Sequence, residues 1–565
     1  MASSGAERGN AGPAPRADTA APAGLASGSW FARLPPALVL AALAAAGLAV
    51  RLVFFGHYQL AGTDCDGGGY MDVARHIAAG VGFRTGAYKQ LFLPPASLPQ
   101  ADAHWNPLYP LLTAGAFRLF GESMTVAKLV PLAFGVTLPP LIYLLAQALT
   151  GNRATAWIAG LIAVAHPELV TWSLRIETEI CTMALVTAVF VLMLREGRWR
   201  GWALGVILGL ACLMKYQCIM LWGAVLLYDL SARGLRRGLR GLVPAAIGFA
   251  ITVAPWLVRN TLVFGHPLYN DVGYEALLTY PGFSFGGSIQ RYWATLTPPP
   301  RFATWMLGHP AETLRHAYHA ARELAISLPR EAVGSLWLVP FGLVGAACVL
   351  PAWKRWAPAI LYGLLLLLAF SLTTPLARYL LSLTPFWIVL AAEGAAWLAI
   401  RPKHLHPTPR RVLTTAVVLV MAIAVADQVR TAATLAGDRT SSWNPNAYFC
   451  PVELMAATPY IQSNARPGEP VFSTDPFHAA YLFDRPAVTI PFEAADLVKL
   501  RDVWGIRYLV IADRDLDEHL PTWHAAPPAW ARPVWRASAG EIARTQRTLD
   551  YPHLSAVTIY RLEGN

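Results

Sequence analysis

The sequence predicts a mainly α-helical, polytopic membrane protein that carries a small soluble α/β domain at its C-terminal end. Three observations predict it: about eleven long apolar runs, basic clusters on every second connection between them, and a change of composition beyond Arg430. Of 565 residues, 55% are hydrophobic and only 14% charged, with a mean hydropathy of +0.41. So few charges do not cover a soluble globule of this size.

Residues 1–34, rich in Ala, Gly, Pro and Ser with Arg8 and Arg16, read as a disordered cytoplasmic tail. They do not read as a secretory signal, because no small-residue cleavage site follows the first apolar run. The runs of the transmembrane domain, residues 35–430, are Pro36–Phe55, Val126–Ala148, Ala154–Trp172, Ile180–Leu194, Trp202–Met214, Cys218–Leu230, Leu242–Val258, Val333–Leu350, Ala357–Leu372, Tyr379–Ile400 and Val412–Val429. Several are shorter than the ~20 residues a free-standing span needs, so neighbouring helices must shield them or one pair re-enters.

Arg33, Asn152-Arg153, Arg195–Arg200, Arg233–Arg240, Lys354-Arg355 and Arg401–Arg411 all fall on the side of the N-terminal tail. The positive-inside rule makes that side the cytoplasm, and the same clustering accounts for the net charge of +11 without nucleic acid. The outer side receives the loop 57–124, read as carrying an amphipathic helix, and the turns at Arg175–Glu179, Lys215 and Thr373–Arg378. It also receives the long loop 259–332 and everything past 430.

Residues 431–565 intersperse charges with short β-type runs at Val471–Ser473, Ala487–Ile490, Arg507–Ile511 and Val557–Tyr560. Pro451–Ser463 and Phe492–Arg501 read as helices, so this segment is an outer soluble α/β domain. The six cysteines form neither a C-x-x-C pair nor a His-spaced zinc pattern. Only Cys65 and Cys450 fall in large loops on the same side, and their pairing is left open. No Walker or dinucleotide glycine pattern occurs; Gly67-Gly68-Gly69 follows a membrane helix rather than a strand.

The loop 57–124 is long and aromatic, as functional loops are. It holds Asp64, Asp66 and Tyr70, a helical stretch Met71–Ala79 ended by Gly80, and then His104-Trp105-Asn106-Pro107-Leu108-Tyr109-Pro110. Carboxylates where a membrane helix meets water are expensive and mark function. Further on come Pro255-Trp256-Leu257-Val258-Arg259-Asn260, Thr178-Glu179 and Arg378-Tyr379. In these motifs and their order the chain resembles the polytopic GT-C glycosyltransferases, namely the bacterial relatives of protein O-mannosyltransferases and of the lipid A aminoarabinose transferase. Those enzymes share an Asp-Glu-x-x-Tyr motif in the first outer loop, an Ala-rich helix ending in Gly, and a Pro-Leu segment. This chain departs from them with Gly67 in place of the second acid and Asp64 nearby.

The resemblance implies a GT-C type fold and an inverting glycosyltransferase. Its donor would be a polyprenyl-phosphate monosaccharide and its acceptor an envelope glycolipid, a polysaccharide or a protein hydroxyl, at the outer face of the bacterial inner membrane. Such transfer needs a base, cations for the leaving phosphate and access for a lipid tail. Asp66 is the base expected, with Asp64 as second carboxylate. Lys215, Arg259 and Arg378 are cations at membrane-water boundaries suited to phosphate, and Tyr70, His104, Asn106, Glu179, Asn260 and Tyr379 complete the substrate-binding set.

Each residue also has a plainer reading: Asp66 and Asp64 as helix caps, Glu179 as a dipole-favoured first-turn acid, the arginines and Lys215 as interfacial side chains. Trp105, Tyr109 and Trp256 stack on sugars or simply mark the interface. No metal-ligand cluster is evident, and since some relatives bind a divalent cation, magnesium or manganese, and others do not, metal use stays open. A transporter or flippase of lipid-linked sugars, a sugar-polymer ligase or polymerase, and a non-catalytic scaffold are the rival readings. The transporter predicts charges at mid-membrane and repeated halves, and the sequence shows neither.

Overall fold

A computed structural model of the protein describes residues 34–55, 65–280, 283, 292–400, 406–437, 451–546 and 554–563. Asp64, Cys450 and the side chain of Cys65 lie outside the described residues, as do Arg33 and almost all of the tail 1–34.

All eleven apolar runs are mainly helical, with Val333–Ser335 lying between two helices. Six helical stretches are long and apolar enough to cross a membrane: Pro36–Phe55, Met124–Thr150, Leu235–Phe264, Leu336–Leu372, Ala377–Ile400 and Pro407–Leu435. Leu108–Phe120, Arg153–Ala165, Glu179–Leu194 and Arg200–Met214 are shorter apolar helices, so the figure of about eleven spans is not reached on length and composition. Packing shields the short ones. Glu179–Leu194 is buried along nearly its whole length, against Leu129–Thr150 and Arg200–Met214. The run Ala154–Trp172 is two helices, Arg153–Ala165 and Pro167–Trp172. His166 has ψ 122°, because the ring of Pro167 excludes the helical conformation from the residue before it.

Arg51, in the first span, is fully buried. It donates to Ser173 Oγ at 2.8 Å, Gly47 O at 3.0 Å and Leu169 O at 3.1 Å, which ties that span to the Pro167–Trp172 helix. Arg200 pairs with Asp229 at 2.6 Å, Arg233 pairs with Glu196, and Arg355 donates to Leu149 O at 3.3 Å. The Arg195–Arg200 and Arg233–Arg240 connections are thus tied to each other, and the Lys354-Arg355 connection to the end of Met124–Thr150.

In the first loop, β1 (Arg84–Thr85) and β3 (Gln100–Ala101) form an antiparallel pair, and β2 (Ala87–Tyr88) leaves to join the C-terminal segment. There β4 (Val471–Ser473), β5 (Ala487–Thr489), β6 (Tyr508–Ala512), β7 (Ala531–Ala537) and β8 (Val557–Leu562) complete a six-stranded sheet in the order β2-β5-β4-β6-β8-β7. The β2, β5, β4 and β6 neighbours run parallel, with Ala87 opposite Ala487 and Phe472 opposite Val488, while β8 pairs antiparallel with β6 and β7. β4, β5 and β6 are buried at every position, as expected of parallel strands covered on both faces. Tyr88 and Leu91 of the first loop share a core with Phe472, Val488, Leu509 and Ile511. β7 is not evident from sequence because Pro533 interrupts it. The structure accommodates that proline on an edge strand, at a register irregularity between Pro533 and Trp535.

Candidate active site

The loop 57–124 carries the helix Cys65–Ala78. Asp66 lies in its first turn rather than capping it, where the positive end of the helix dipole favours a carboxylate. The helix ends before Gly80, whose φ of +78° suits a residue without a side chain. Three consecutive glycines inside a helix weaken it by about 1 kcal/mol each relative to alanine, and each here faces a different close neighbour, tight at Gly67 and too close for a side chain at Gly68 and Gly69. A Cβ on Gly67 would lie 3.2 Å from the Ile176 carbonyl oxygen, one on Gly68 2.7 Å from the His478 amide nitrogen, and one on Gly69 2.5 Å from the Trp105 indole. Asp66 is therefore positioned by the Arg175–Glu179 turn, the C-terminal domain and the Trp105 segment together. His478 is itself buried at the start of the helix Pro476–Phe483, its Nδ1 2.6 Å from Asp475 Oδ2. Asp72, one turn and a half after Asp66, accepts from Thr85 Oγ1 at 2.8 Å and Gly86 N at 2.7 Å, and so fixes the approach to β2.

Asp66 accepts a hydrogen bond from Arg378 Nη2 at 3.0 Å. The same guanidinium lies 3.9 Å from Glu177 and 3.8 Å from Glu179. Lys215 donates to Glu179 Oε1 at 2.6 Å, and both Lys215 and Arg378 lie over the ring of Tyr379, at 4.9 and 5.4 Å. Glu177 and Glu179 are almost fully buried, whereas the side chains of Asp66, Arg378 and Lys215 keep 22%, 17% and 16% of their surface open. The edge of the cluster formed by Asp66, Arg378 and Lys215 is thus the accessible one. Tyr70 packs against Trp105 and Tyr109 with ring centroids 4.3 and 4.7 Å away. Burial first, and then the charges of Glu177, Asp66 and Glu179, push its phenol well above the usual range, so it stays a neutral donor. Burial and the Glu168 carboxylate push Glu331 up to about 9 against the pull of Arg378, which keeps a fourth carboxyl near the arginine protonated at neutral pH. Among the described residues, Tyr109 Oη, Thr182 Oγ1 and Glu179 Oε2 are buried without a hydrogen-bond partner.

The remaining candidates gather in a second group. His104 Nδ1 lies 2.8 Å from Asp271 Oδ1, and Lys89 Nζ lies 2.6 Å from that ring nitrogen and 2.6 Å from Glu275 Oε1. Gln90 and Trp293 also donate to Glu275. Burial pushes Asp271 up, but His104 and Lys89 outweigh it and hold the carboxyl below its ordinary value. Asp102 is pushed up to about 7 by burial and by Asp271, against His104, the Trp105 amide and Arg259. Arg259 and Asn260 sit in the last turns of Leu235–Phe264 rather than in a loop. Arg259 donates to Phe83 O at 3.1 Å and Asn260 Oδ1 at 2.9 Å, with its guanidinium 4.7 Å from the Trp256 ring, while Asn260 donates to Pro267 O and Tyr269 O. Trp256 Nε1 donates to Tyr216 Oη at 3.0 Å, which links this group to the Lys215 turn.

The structure thus brings Asp66, Tyr70, Glu179, Lys215, Arg378 and Tyr379 together and places His104, Arg259 and Asn260 beside them in the second group. Asn106 makes no side-chain hydrogen bond among the described residues. Glu177 is missed by the sequence reading, although its spacing of two from Glu179 in the same short turn is the signal for it. Lys89, Asp271, Glu275 and Glu331 lie in irregular segments or at a helix end, and no spacing points to them. The described residues include no group of three His, Cys, Asp or Glu side chains placed to hold a metal ion. Asp66, Glu177 and Glu179 are instead arranged around a guanidinium, so the described residues do not fit the magnesium or manganese site that the resemblance leaves open.

Residues 103–258 match the family model of dolichyl-phosphate-mannose-protein mannosyltransferases. The fold is similar to that of ArnT from Cupriavidus metallidurans bound to undecaprenyl phosphate, with TM-score 0.56 and 16% identity over 92% of this chain and 97% of that one. It is also similar to the apo oligosaccharyltransferase of Archaeoglobus fulgidus, with TM-score 0.59 and 12% identity over 93% of this chain and 76% of that one. The archaeal oligosaccharyltransferase AglB from the same organism, in complex with an inhibitory peptide and a dolichol-phosphate, matches with TM-score 0.51 and 12% identity over the same shares. No curated protein matches the sequence.

Proposed function

We propose that the chain is a glycosyltransferase of the GT-C superfamily related to the dolichyl-phosphate-mannose-protein mannosyltransferases, a reading supported by the family match and the shared fold, and that it moves a monosaccharide from a polyprenyl-phosphate donor to a hydroxyl of an envelope glycolipid, polysaccharide or protein. The site faces the outer side of the bacterial inner membrane, with the N-terminal tail in the cytoplasm. The basic clusters at the opposite end of the bundle support that orientation.

In this reading Asp66 takes the proton of the acceptor hydroxyl as the hydroxyl oxygen bonds to the anomeric carbon. The bond from that carbon to the phosphate oxygen breaks on the opposite face, its electron pair leaves with the polyprenyl phosphate, and the anomeric configuration inverts. Arg378 and Lys215, which share Glu179, stabilise the charge that develops on the leaving phosphate through charge-assisted hydrogen bonds. Tyr109 Oη, Thr182 Oγ1 and Glu179 Oε2 lie buried without a partner among the described residues behind this edge, and a buried polar group left unfilled costs about 1–3 kcal/mol. The ArnT of similar fold binds undecaprenyl phosphate, which supports a polyprenyl carrier here.

The observation that carries the reading is the 3.0 Å contact of Asp66 with Arg378: a proton acceptor and a phosphate-binding cation are one hydrogen bond apart, on the accessible edge of an otherwise buried cluster. Purified protein given a radiolabelled sugar on polyprenyl phosphate should label an envelope extract, and Asp66→Asn should slow that transfer by ~10²–10⁴-fold. A variant with the full wild-type rate would end the base assignment.

A further inference from the structure

The helix Leu235–Phe264 has Arg259 near one end and a charged cluster that sugar transfer does not use near the other. Arg240 and Arg259 lie roughly 28 Å apart along it at 1.5 Å per residue. At that far end Glu196, Ala232, Arg233, Arg237 and Arg240 line a cleft of about 330 Å³. Its charges are unevenly matched. Arg233 is paired with Glu196, and nearby Asp229 is taken by Arg200, whereas neither Arg237 nor Arg240 has an ion pair or a side-chain hydrogen bond among the described residues. Two guanidinium groups therefore border the cleft without a counter-charge.

The surroundings define what such a pair can meet. At helical spacing from Arg240, Val243, Ile247 and Ile251 are exposed at 58%, 43% and 63%, an apolar stripe that continues down the same face of a helix long and apolar enough to span. The helix Arg200–Met214 packs against this one at its glycines: a Cβ on Gly201 would lie 2.7 Å from Gly241 O, and one on Gly205 2.1 Å from Ala245 O. That close approach brings the exposed Trp199 and Trp202 alongside, and exposed tryptophans on apolar helices mark the headgroup level of a bilayer. A cleft with unmatched arginines at headgroup depth, above an apolar stripe, is complementary to an amphiphilic anion.

We propose that this cleft binds the phosphodiester headgroup of an anionic glycerophospholipid, with Arg237 and Arg240 donating to the phosphate oxygens and the acyl chains lying along Val243, Ile247 and Ile251. The site is separate from the transfer reaction and does not depend on the reading of Asp66.

The test is native mass spectrometry of the full chain extracted from nanodiscs of phosphatidylcholine mixed with phosphatidylglycerol. Wild-type protein should retain phosphatidylglycerol in preference to phosphatidylcholine. An Arg237→Gln/Arg240→Gln variant should lower that preference roughly 30-fold, taking about 1 kcal/mol per arginine at a membrane surface. Arg315→Gln/Arg322→Gln, at two exposed arginines of the helix Pro310–Ala332, should leave it unchanged. Equal unfolding midpoints for all three proteins in phosphatidylcholine alone would show that the loss is not one of folding. The proposal is overturned if the Arg237/Arg240 variant keeps the wild-type preference, if the two double variants lose it equally, or if millimolar inorganic phosphate displaces the lipid from wild type, which would make the cleft a site for soluble anions.

Discussion

Asp66 and Asp102 show how two carboxylates of one loop come to have different behaviour. Asp66 keeps an open edge and a guanidinium partner, whereas Asp102 is 2% exposed. With its carboxyl near 7 when folded and ~3.9 when unfolded, Asp102 binds a proton in the folded chain that the unfolded chain has already lost. Stability from this group is therefore full below about pH 4, falls as pH rises to about 7, and is level above. Asp102→Asn keeps an acceptor for the Trp105 amide and removes the titration. Its thermal unfolding midpoint should match wild type at pH 4 and exceed it at pH 8, while a wild-type-like loss between those values would refute the assignment. The Asp66 and Arg378 contact was foreshadowed by sequence because both sit in motifs on the same predicted side. The placement of Arg259 among Phe83, Trp256 and Asn260 was not, because it depends on where a helix ends and which loop crosses it.

Among the elements, the helix Cys65–Ala78 has the narrowest tolerance. Gly68→Ala pushes a methyl group onto backbone atoms of His478, which cannot yield as a side-chain tip can, so the helix and the C-terminal domain must separate slightly. We expect about 1–3 kcal/mol of destabilisation together with a fall in transfer rate. Gly80→Ala meets no atom within 4 Å and only strains a left-handed turn, so it should cost about 1–2 kcal/mol and leave the rate alone. Parallel melting and transfer assays separate the two, and equal effects on rate would show that the packing at Gly68 does not position Asp66. Membrane helices were legible because hydropathy is a local property: the run Pro36–Phe55 matches its helix residue for residue. The triple glycine reads from sequence only as a departure from the family motif, since its cause is three segments distant in the chain.

At the scale of the molecule, the first loop and the C-terminal domain are one body. The six-stranded sheet is closed at one edge by β2, and Thr489 Oγ1 donates to Lys89 O across 400 residues of sequence at 2.8 Å. Neighbouring positions in a parallel pair suit a disulfide. Ala87→Cys with Ala487→Cys should cross-link on mild oxidation, read as a linked peptide by mass spectrometry, and the cross-linked protein should keep its activity; absence of the link would mean that β2 does not pair as described. A two-residue strand has no periodicity to read, which is why this join escapes sequence reasoning even though β4, β5, β6 and β8 do not. The join also sets an order of assembly. At about 5–20 residues per second, the ribosome finishes β5 roughly 20–80 s after β2, and in the proposed orientation the later segment must cross the bilayer before the two can meet. A nascent chain stalled short of β5 lacks the sheet neighbour of β2, and under the proposed function it would be inserted but idle until that strand arrives.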